Sequence, residues 1–249
     1  MRRRFFVERF ENGRATLRGA AAHHAGRVLR AEPGQLYELS DGCRVWLARI
    51  ERVGRGALDF SLLEALTPEP EPLHAVLALS IFKFDRFEWA LEKATELGVA
   101  DIVLLAATRS EKGLVSAAHR RAARWERILT ESAQQSRRLR APALQPGVLR
   151  SVDYLEGAGA DSGATPALRL FFSEEKDAPA ASSVLSGAPQ GATVALAIGP
   201  EGGWTEEERA AAARGGWKDV SLGPNILRAE TAVVAGLAIV HFALAAARG

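Results

Sequence analysis

Two passages near the carboxyl end constrain the fold most: Ile198-Gly199-Pro200-Glu201-Gly202-Gly203-Trp204-Thr205-Glu206-Glu207-Glu208 and Leu222-Gly223-Pro224-Asn225-Ile226-Leu227-Arg228-Ala229-Glu230-Thr231-Ala232. Each reads as an apolar strand running into a Gly/Pro turn and then a helix. That arrangement leaves backbone N–H groups at the helix start facing a ligand. Two such loops predict one site. The chain before them has the same rhythm, with strands at Ala75–Ile81, Ile102–Ala106, Ala167–Phe172, Thr193–Ile198 and Asp219–Leu222. Helical patterns at Arg86–Leu97, Ser116–Arg138, from Thr205 and from about Glu230 fall between or after these strands. Alternation of this kind predicts an α/β fold with a mainly parallel sheet. Gly98 stands where a helix would place its left-handed closing residue.

The amino-terminal third reads differently. Short β segments at Arg3–Val7, Gln35–Leu39, Val45–Val53 and Leu58–Leu63, separated by turns such as Asp41-Gly42, predict a small β-barrel over residues 1–66. Thr67-Pro68-Glu69-Pro70-Glu71-Pro72 follows as a stiff, extended, acidic linker, so the domain boundary is set at 67–73 and a second domain at 74–249. Gly157-Ala158-Gly159-Ala160-Asp161-Ser162-Gly163-Ala164 reads as a flexible surface loop.

With 249 residues, 47% of them hydrophobic, the chain can bury a substantial core. No apolar run reaches the roughly 18 residues of a membrane span, and Met1-Arg2-Arg3-Arg4-Phe5-Phe6 lacks the features of a signal peptide, so a soluble, cytoplasmic protein is expected. One cysteine, Cys43, excludes an internal disulfide, and the five histidines, including adjacent His23 and His24, offer no metal-ligand spacing. No metal is expected. The net charge of +2 conceals two basic segments, residues 1–30 and 109–140, each with a net +6 in an otherwise acidic chain. Such clusters suit a polyanionic partner, and they equally suit solvated faces.

Thr205 and Glu208 have the spacing of a capping box, which starts a helix at Thr205 and leaves Gly202 and Gly203 just ahead of it. The loop has neither the Gly-Lys-Ser/Thr of a phosphate-binding loop nor a dinucleotide fingerprint, and Glu201 within it favours a cationic or neutral ligand. The second loop places Arg228 and Glu230 at the mouth of a helix whose residues Ala232–Ala247 are apolar all round, interrupted only by Gly236 and His241. A helix of that kind belongs in a core or a subunit interface. In the helix Ser116–Arg138, Arg120, Arg124, Arg127 and Glu131 share one face, with Trp125, Leu129, Ser132 and Ser136 on another. Lys83, Asp85, Arg86 and Glu88 mix signs at a strand-to-helix turn and point to no single role.

The two loops resemble the cofactor-binding loops of the SPOUT class of S-adenosylmethionine-dependent RNA methyltransferases, most closely the RsmE type that methylates N3 of a uridine in 16S ribosomal RNA. The resemblance extends through Arg3-Arg4-Phe5-Phe6-Val7, His23-His24 with Val28-Leu29-Arg30, Glu92-Lys93-Ala94-Thr95-Glu96-Leu97-Gly98-Val99, and Arg124-Trp125 with Gln135-Ser136. It implies an N-terminal PUA-like β-barrel that helps hold RNA, a C-terminal SPOUT α/β domain with a trefoil knot, and a homodimer. The cofactor would lie against Phe172, Ser173, Ile198, Gly199, Pro200, Gly202, Gly203, Leu222, Gly223, Ile226 and Leu227. The partner would be 16S ribosomal RNA, free or in the small ribosomal subunit. Asn225 stands where the family more often has Arg, and Gln134 and Arg137 where Glu and Gly are common.

Uridine N3 carries a proton at neutral pH, so its methylation requires proton loss and stabilisation of charge spreading onto O2 and O4. Arg228 is the expected stabiliser, with Glu201 or Glu230 placing the base or accepting its proton. Arg3, Arg4, Arg9, Arg30, Arg109, Arg121, Arg124 and Arg138 are the expected phosphate contacts. Two alternatives stand beside this reading: ribose 2′-O methylation through the same pocket, and a non-catalytic RNA-binding or ribosome-assembly factor.

Overall fold

The computed structural model describes residues 3–27, 29–68, 71, 73–158, 166–175, 177–188 and 191–244. Most of the Gly157–Ala164 stretch, Glu69, Pro70 and Pro72 of the Pro-rich run, Val28 and the last five residues lie outside the described residues. The chain forms two compact units, Met1–Pro70 with Thr130–Ala141, and Glu71–Leu129 with Pro142–Gly249.

The first unit is a curled five-stranded sheet. Its strands are β1 (Arg4–Phe6), β2 (Arg14–Arg18), β3 (Leu36–Ser40), β4 (Val45–Gly54) and β5 (Ala57–Leu66), in the order β1-β3-β4-β5-β2, with helix α1 (Gly19–Arg27) after β2. β1 and β3 run parallel and the other pairs antiparallel. Register shifts at Leu47/Ala48 and Ile50/Arg52 bend the long β4–β5 pair, because an extra residue on one strand raises the local twist. Alternate residues Ala15 and Leu17, Ala48 and Ile50, Leu58 and Phe60 then enclose one core with Phe5 and Leu39. β2 and α1 were not expected from sequence. The Gly19–Arg27 segment has no large apolar stripe and buries only the small Ala22 and Ala25.

The second unit is a parallel sheet built from β6 (Ala75–Ser80), β7 (Val99–Ala106), the short β8 (Ala143–Leu144) and β9 (Leu149–Arg150), β10 (Leu168–Phe172), β11 (Val194–Ile198) and β12 (Lys218–Val220). The order is β12-β10-β11-β6-β7-β8, with β9 also on β7, and every pairing is parallel. β6 and β11 are buried on both faces, as central parallel strands must be. Leu77, Leu79, Leu196 and Ile198 enter one layer, while the smaller Val76, Ala78, Ala195 and Ala197 enter the other.

The first layer is covered by α2 (Phe84–Glu96), α4 (Ala122–Gln135), α6 (Ala181–Leu185) and α8 (Ala229–Leu244); the second by α5 (Ser151–Asp153), the π turn after it and α7 (Glu206–Arg214). α3 (Lys112–Ala117) precedes α4. Gly98, after α2, has φ +84°, as the left-handed closing position requires. The single helix expected over 116–138 is three successive pieces, α3, a 3₁₀ turn at Ala118–Arg121, and α4. It ends early because Arg137 turns left-handed at φ +58° and Arg138 N–H reaches back to Ala133 O, a Schellman closure without its usual glycine.

Candidate functional site

The C-terminal ends of β10 and β11, and the loop after β12, open into a cleft of about 530 Å³. Phe172 and Ser173 line it from β10, Ile198, Gly199, Pro200, Glu201 and Gly203 from the first loop, and Leu222 through Arg228 from the second. Both passages singled out in the sequence therefore meet in one site. Gly202 is the exception: it does not line the cleft, and its carbonyl accepts from Arg109 Nη1 at 3.0 Å.

Each loop is held by specific contacts. Trp204 is buried, donates from Nε1 to Phe172 O at 2.9 Å and packs on Phe171, tying the first loop to the end of β10. Gly203 has φ +69°, a left-handed conformation that favours glycine, and a Cβ there would also displace the Glu174 carboxylate. Thr205 and Glu208 form the expected capping box. The buried Glu208 carboxylate also accepts from Thr108 N–H and from Ser151 Oγ, so one side chain joins α7, the end of β7 and α5. Burial would raise its pKa, yet the donors from Ser151, Thr205 and Thr108 outweigh that and hold it below the usual carboxylate range. On the β10 side, Ser173 Oγ donates to Asp219 Oδ1 at 2.5 Å.

Five charged residues line the cleft, Glu174, Glu175 and Glu201 with Arg86 and Arg228, and Glu175 is paired from outside the lining by Arg209. Arg86, in the first turn of α2, donates from Nη1 to Glu201 Oε1 at 2.7 Å, and its Nε lies 3.7 Å from Glu230 Oε1. Glu201 faces the cleft, whereas Glu230 does not line it and stands behind Arg86; its Oε2 is buried without a hydrogen-bond partner. Arg228 is exposed on the cleft wall and makes no ion pair among the described residues. Arg86, Glu174 and Trp204 were missed as site residues. Arg86 was hidden by its neighbours of mixed sign, and Glu174 by its place just past the last expected lining residue. A bare backbone cradle with an acidic rim and apolar Leu222, Ile226 and Leu227 repels phosphate and fits a cationic, partly apolar ligand.

The expected RNA-contacting arginines divide between the two units. In the first, Arg3 contacts His24, Arg9 pairs with Glu11 while exposed, and Arg30 is exposed with φ +51°. Arg4 instead braces the fold, pairing with the buried Glu38 at 2.9 Å and donating to Arg137 O at 2.6 Å. Arg138 is half-buried. In the second unit, Arg124 and Arg121 both pair with Glu88, at 2.7 and 3.5 Å, and Arg124 holds the Glu88 carboxyl below its ordinary range. Arg121 also lies over the Phe84 ring. Arg109 remains exposed beside the first loop. Among the described residues there is no cluster able to hold a metal and no helix long and apolar enough to cross a membrane.

Residues 69–241 match the RNA methyltransferase domain family. The chain is 33% identical to ribosomal RNA small subunit methyltransferase E of Synechocystis, over 91% of this chain and 72% of that one. It is 32% identical to the protein of the same name from Mycobacterium bovis, over 91% and 85%. Among solved structures, it is similar to ribosomal RNA small subunit methyltransferase E of Neisseria gonorrhoeae bound to S-adenosyl methionine. That match has a TM-score of 0.83 and 29% identity, covering 97% of this chain and 98% of the other. A Legionella pneumophila methyltransferase in complex with SAM matches with a TM-score of 0.83 and 28% identity, covering 98% of each chain.

Proposed function

The chain belongs to the ribosomal RNA small subunit methyltransferase E family, and from that membership we propose that it methylates N3 of one uridine in 16S ribosomal RNA using S-adenosylmethionine. The observation that carries the reading is the two-loop cleft, with its bare backbone and its acidic rim. S-adenosylmethionine, when bound, supplies an electrophilic methyl group on a positively charged sulfur. Phe172, Ser173, Ile198, Gly199, Pro200, Gly203, Leu222, Gly223, Ile226 and Leu227 would enclose it, with Gly202 shaping the loop from behind. Glu174 favours a cation there, while Glu175 is already paired with Arg209.

Arg228, exposed on the cleft wall and without an ion pair among the described residues, orients the uracil and stabilises charge on O2 or O4. Glu201 faces the same space, and Glu230 acts from behind it. Arg228→Ala should lower kcat by about 100-fold, the usual cost of removing one such stabiliser, and leave cofactor affinity within threefold. Equal turnover in single-turnover assays would remove Arg228 from the mechanism. RNA is held by phosphate contacts from exposed arginines, led by Arg9, Arg30 and Arg109.

The finer architecture belongs to the same proposal. Residues 1–66 act as a PUA-like RNA-holding barrel, 67–73 as a linker and 74–249 as the methyltransferase domain. β12 lies beyond β10 while β11 lies inside it, so the connections after these strands overlap at one end of the sheet, which supports a trefoil knot, a rare exception to unthreaded connections. The outward residues of α8, including Val234, Ala235, Ala238 and Phe242, support a homodimer through that helix. The protein would work in the cytoplasm, where the small subunit is assembled.

The test is incubation with labelled S-adenosylmethionine and small ribosomal subunits from cells lacking the modification, followed by digestion and mass spectrometry of nucleosides. The expected product is 3-methyluridine at one position. Label in a ribose would replace the proposal with 2′-O methylation.

A further inference from the structure

Three charged side chains meet at one wall of the cleft with unequal roles. Arg86 sits between Glu201 in front, at 2.7 Å, and Glu230 behind, at 3.7 Å. Arg86 and Glu201 are each about one-third exposed, at 32% and 36% of their side chains, whereas Glu230 is 13% exposed. A surface ion pair of this kind contributes little to stability on its own. Two features set this one apart. It lies in the lining of the cleft, and it carries one cation for two carboxylates, an acid excess that a simple staple does not need.

Resting on the methyltransferase reading above, we propose that Arg86 and Glu201 form an exchanging ion pair that removes the N3 proton of the bound uracil. Glu201 accepts the proton from N3, becomes neutral and releases the Arg86 guanidinium. Arg86 then turns to the uracil oxygen onto which the N3 electron pair has spread, so it is never without an anion and the charge of the group is unchanged. The N3 pair forms the bond to the methyl carbon while the carbon–sulfur pair returns to sulfur. Neutral methyluracil no longer holds Arg86, Glu201 passes its proton to water through its exposed side, and the ion pair re-forms. Glu230 is a positioning residue: it keeps Arg86 at the wall through the exchange, when Glu201 has let go.

Other charged groups near the pair have different partners or positions. Arg228 and Glu174 line the same cleft, Glu175 is paired with Arg209, and Arg109 is bound to Gly202 O. On α2, Glu88 is held by Arg124 and Arg121, Glu92 and Glu96 share Lys93, and Asp85 is exposed. α6 and β11, also packed on α8, carry no charge, and Arg169 of β10 is bound to Gly215 O.

The experiment compares wild type, Arg86→Gln, Glu201→Gln and the double variant, with cofactor affinity measured by calorimetry and kcat on small subunits measured from pH 6 to 9. Each single variant should lose about 100-fold in kcat, within the range for proton transfer and charge stabilisation, while cofactor affinity stays within threefold. Because both residues serve one step, the double variant should be no slower than the worse single by more than threefold. In Glu201→Gln the rate should climb about tenfold per pH unit from 7 to 9, as hydroxide replaces the missing carboxylate. Wild-type kcat in either single variant, multiplying losses in the double variant, or a flat pH profile in Glu201→Gln would overturn the exchange while leaving the methyltransferase reading intact. If a glutamine variant no longer binds cofactor, Arg86→Lys and Glu201→Asp, which keep the charge and shift it, must show the kcat loss; wild-type rates in both would overturn the proposal. A wild-type protein that forms no 3-methyluridine overturns both readings.

Discussion

At the scale of single residues, the arginines of the basic amino-terminal segment separate by what they touch. Arg4 neutralises Glu38, whose side chain is 11% exposed, and braces the left-handed turn at Arg137. Arg9 pairs with Glu11 on the open surface. Removing Arg4 takes the hydrogen-bonded partner from a nearly buried carboxylate and leaves it the longer contact to Arg137 Nη1 at 3.7 Å, so Arg4→Ala should cost about 2 kcal/mol in urea unfolding, whereas Arg9→Ala should change stability by less than about 0.5 kcal/mol. RNA binding should respond in the opposite sense, with Arg9→Ala flattening the salt dependence by one phosphate contact. Glu208 is the other residue with a calculable sign. Its folded carboxyl is held below the ordinary value, so its contribution to stability is complete above pH 4.5 and is lost as the pH falls through the lower folded value. Glu208→Gln should destabilise by about 1–3 kcal/mol at pH 7, since buried donors lose their acceptor. The gap between wild type and variant should narrow in denaturation curves taken at progressively lower pH, and a gap that widens in acid would contradict this assignment.

At the scale of elements, α8 shows how an all-apolar sequence acquires sides. Its inner face buries Ala229, Val233, Gly236, Leu237, Val240 and Leu244, while Phe242 is 94% exposed. Gly236 sets the distance to the sheet, because a Cβ there would lie 3.2 Å from Phe172 and 3.4 Å from Leu196. Gly236→Val should therefore push α8 off β10 and β11 and cost about 1–3 kcal/mol. Since Phe172 also lines the cleft, cofactor affinity should fall with stability; thermal melts and calorimetry on one sample check both. The expectation of a single helix over 116–138 failed for the converse reason. Helical periodicity continues through the 3₁₀ turn at Ala118–Arg121, and the left-handed Arg137 has no Gly or Pro to announce it. Here a left-handed arginine closes the helix, and its carbonyl is occupied by Arg4.

At the scale of the whole molecule, an apolar face of α8 lies open in the single chain, the feature on which the proposed homodimer rests. Val234, Ala235 and Ala238 lie on it with Phe242, and an open aromatic on an otherwise apolar helix is disfavoured in water. Light scattering behind a sizing column should show a dimer for the wild type, and Phe242→Asp should raise the dissociation constant by at least 100-fold, since burying an unpaired charge is costly. A monomeric wild type would overturn the proposed homodimer, and an unchanged dissociation constant in Phe242→Asp would remove α8 from its interface.

Local pattern in the sequence determined the α/β alternation, the strands that form the centre of the parallel sheet, the capping box at Thr205 and the strand-turn-helix form of the two Gly/Pro loops. These features depend on neighbours a few residues apart, and hydrophobic period and turn chemistry record such neighbours. Tertiary structure alone decided which charges meet. Arg86 and Glu201 are 115 positions apart, Arg124 and Glu88 are 36 apart, and Arg4 and Glu38 are 34 apart. An ion pair needs only proximity, with no periodicity to mark it. Lone arginines in a sequence therefore look alike until folding assigns one to the cleft, another to a buried carboxylate and a third to open solvent.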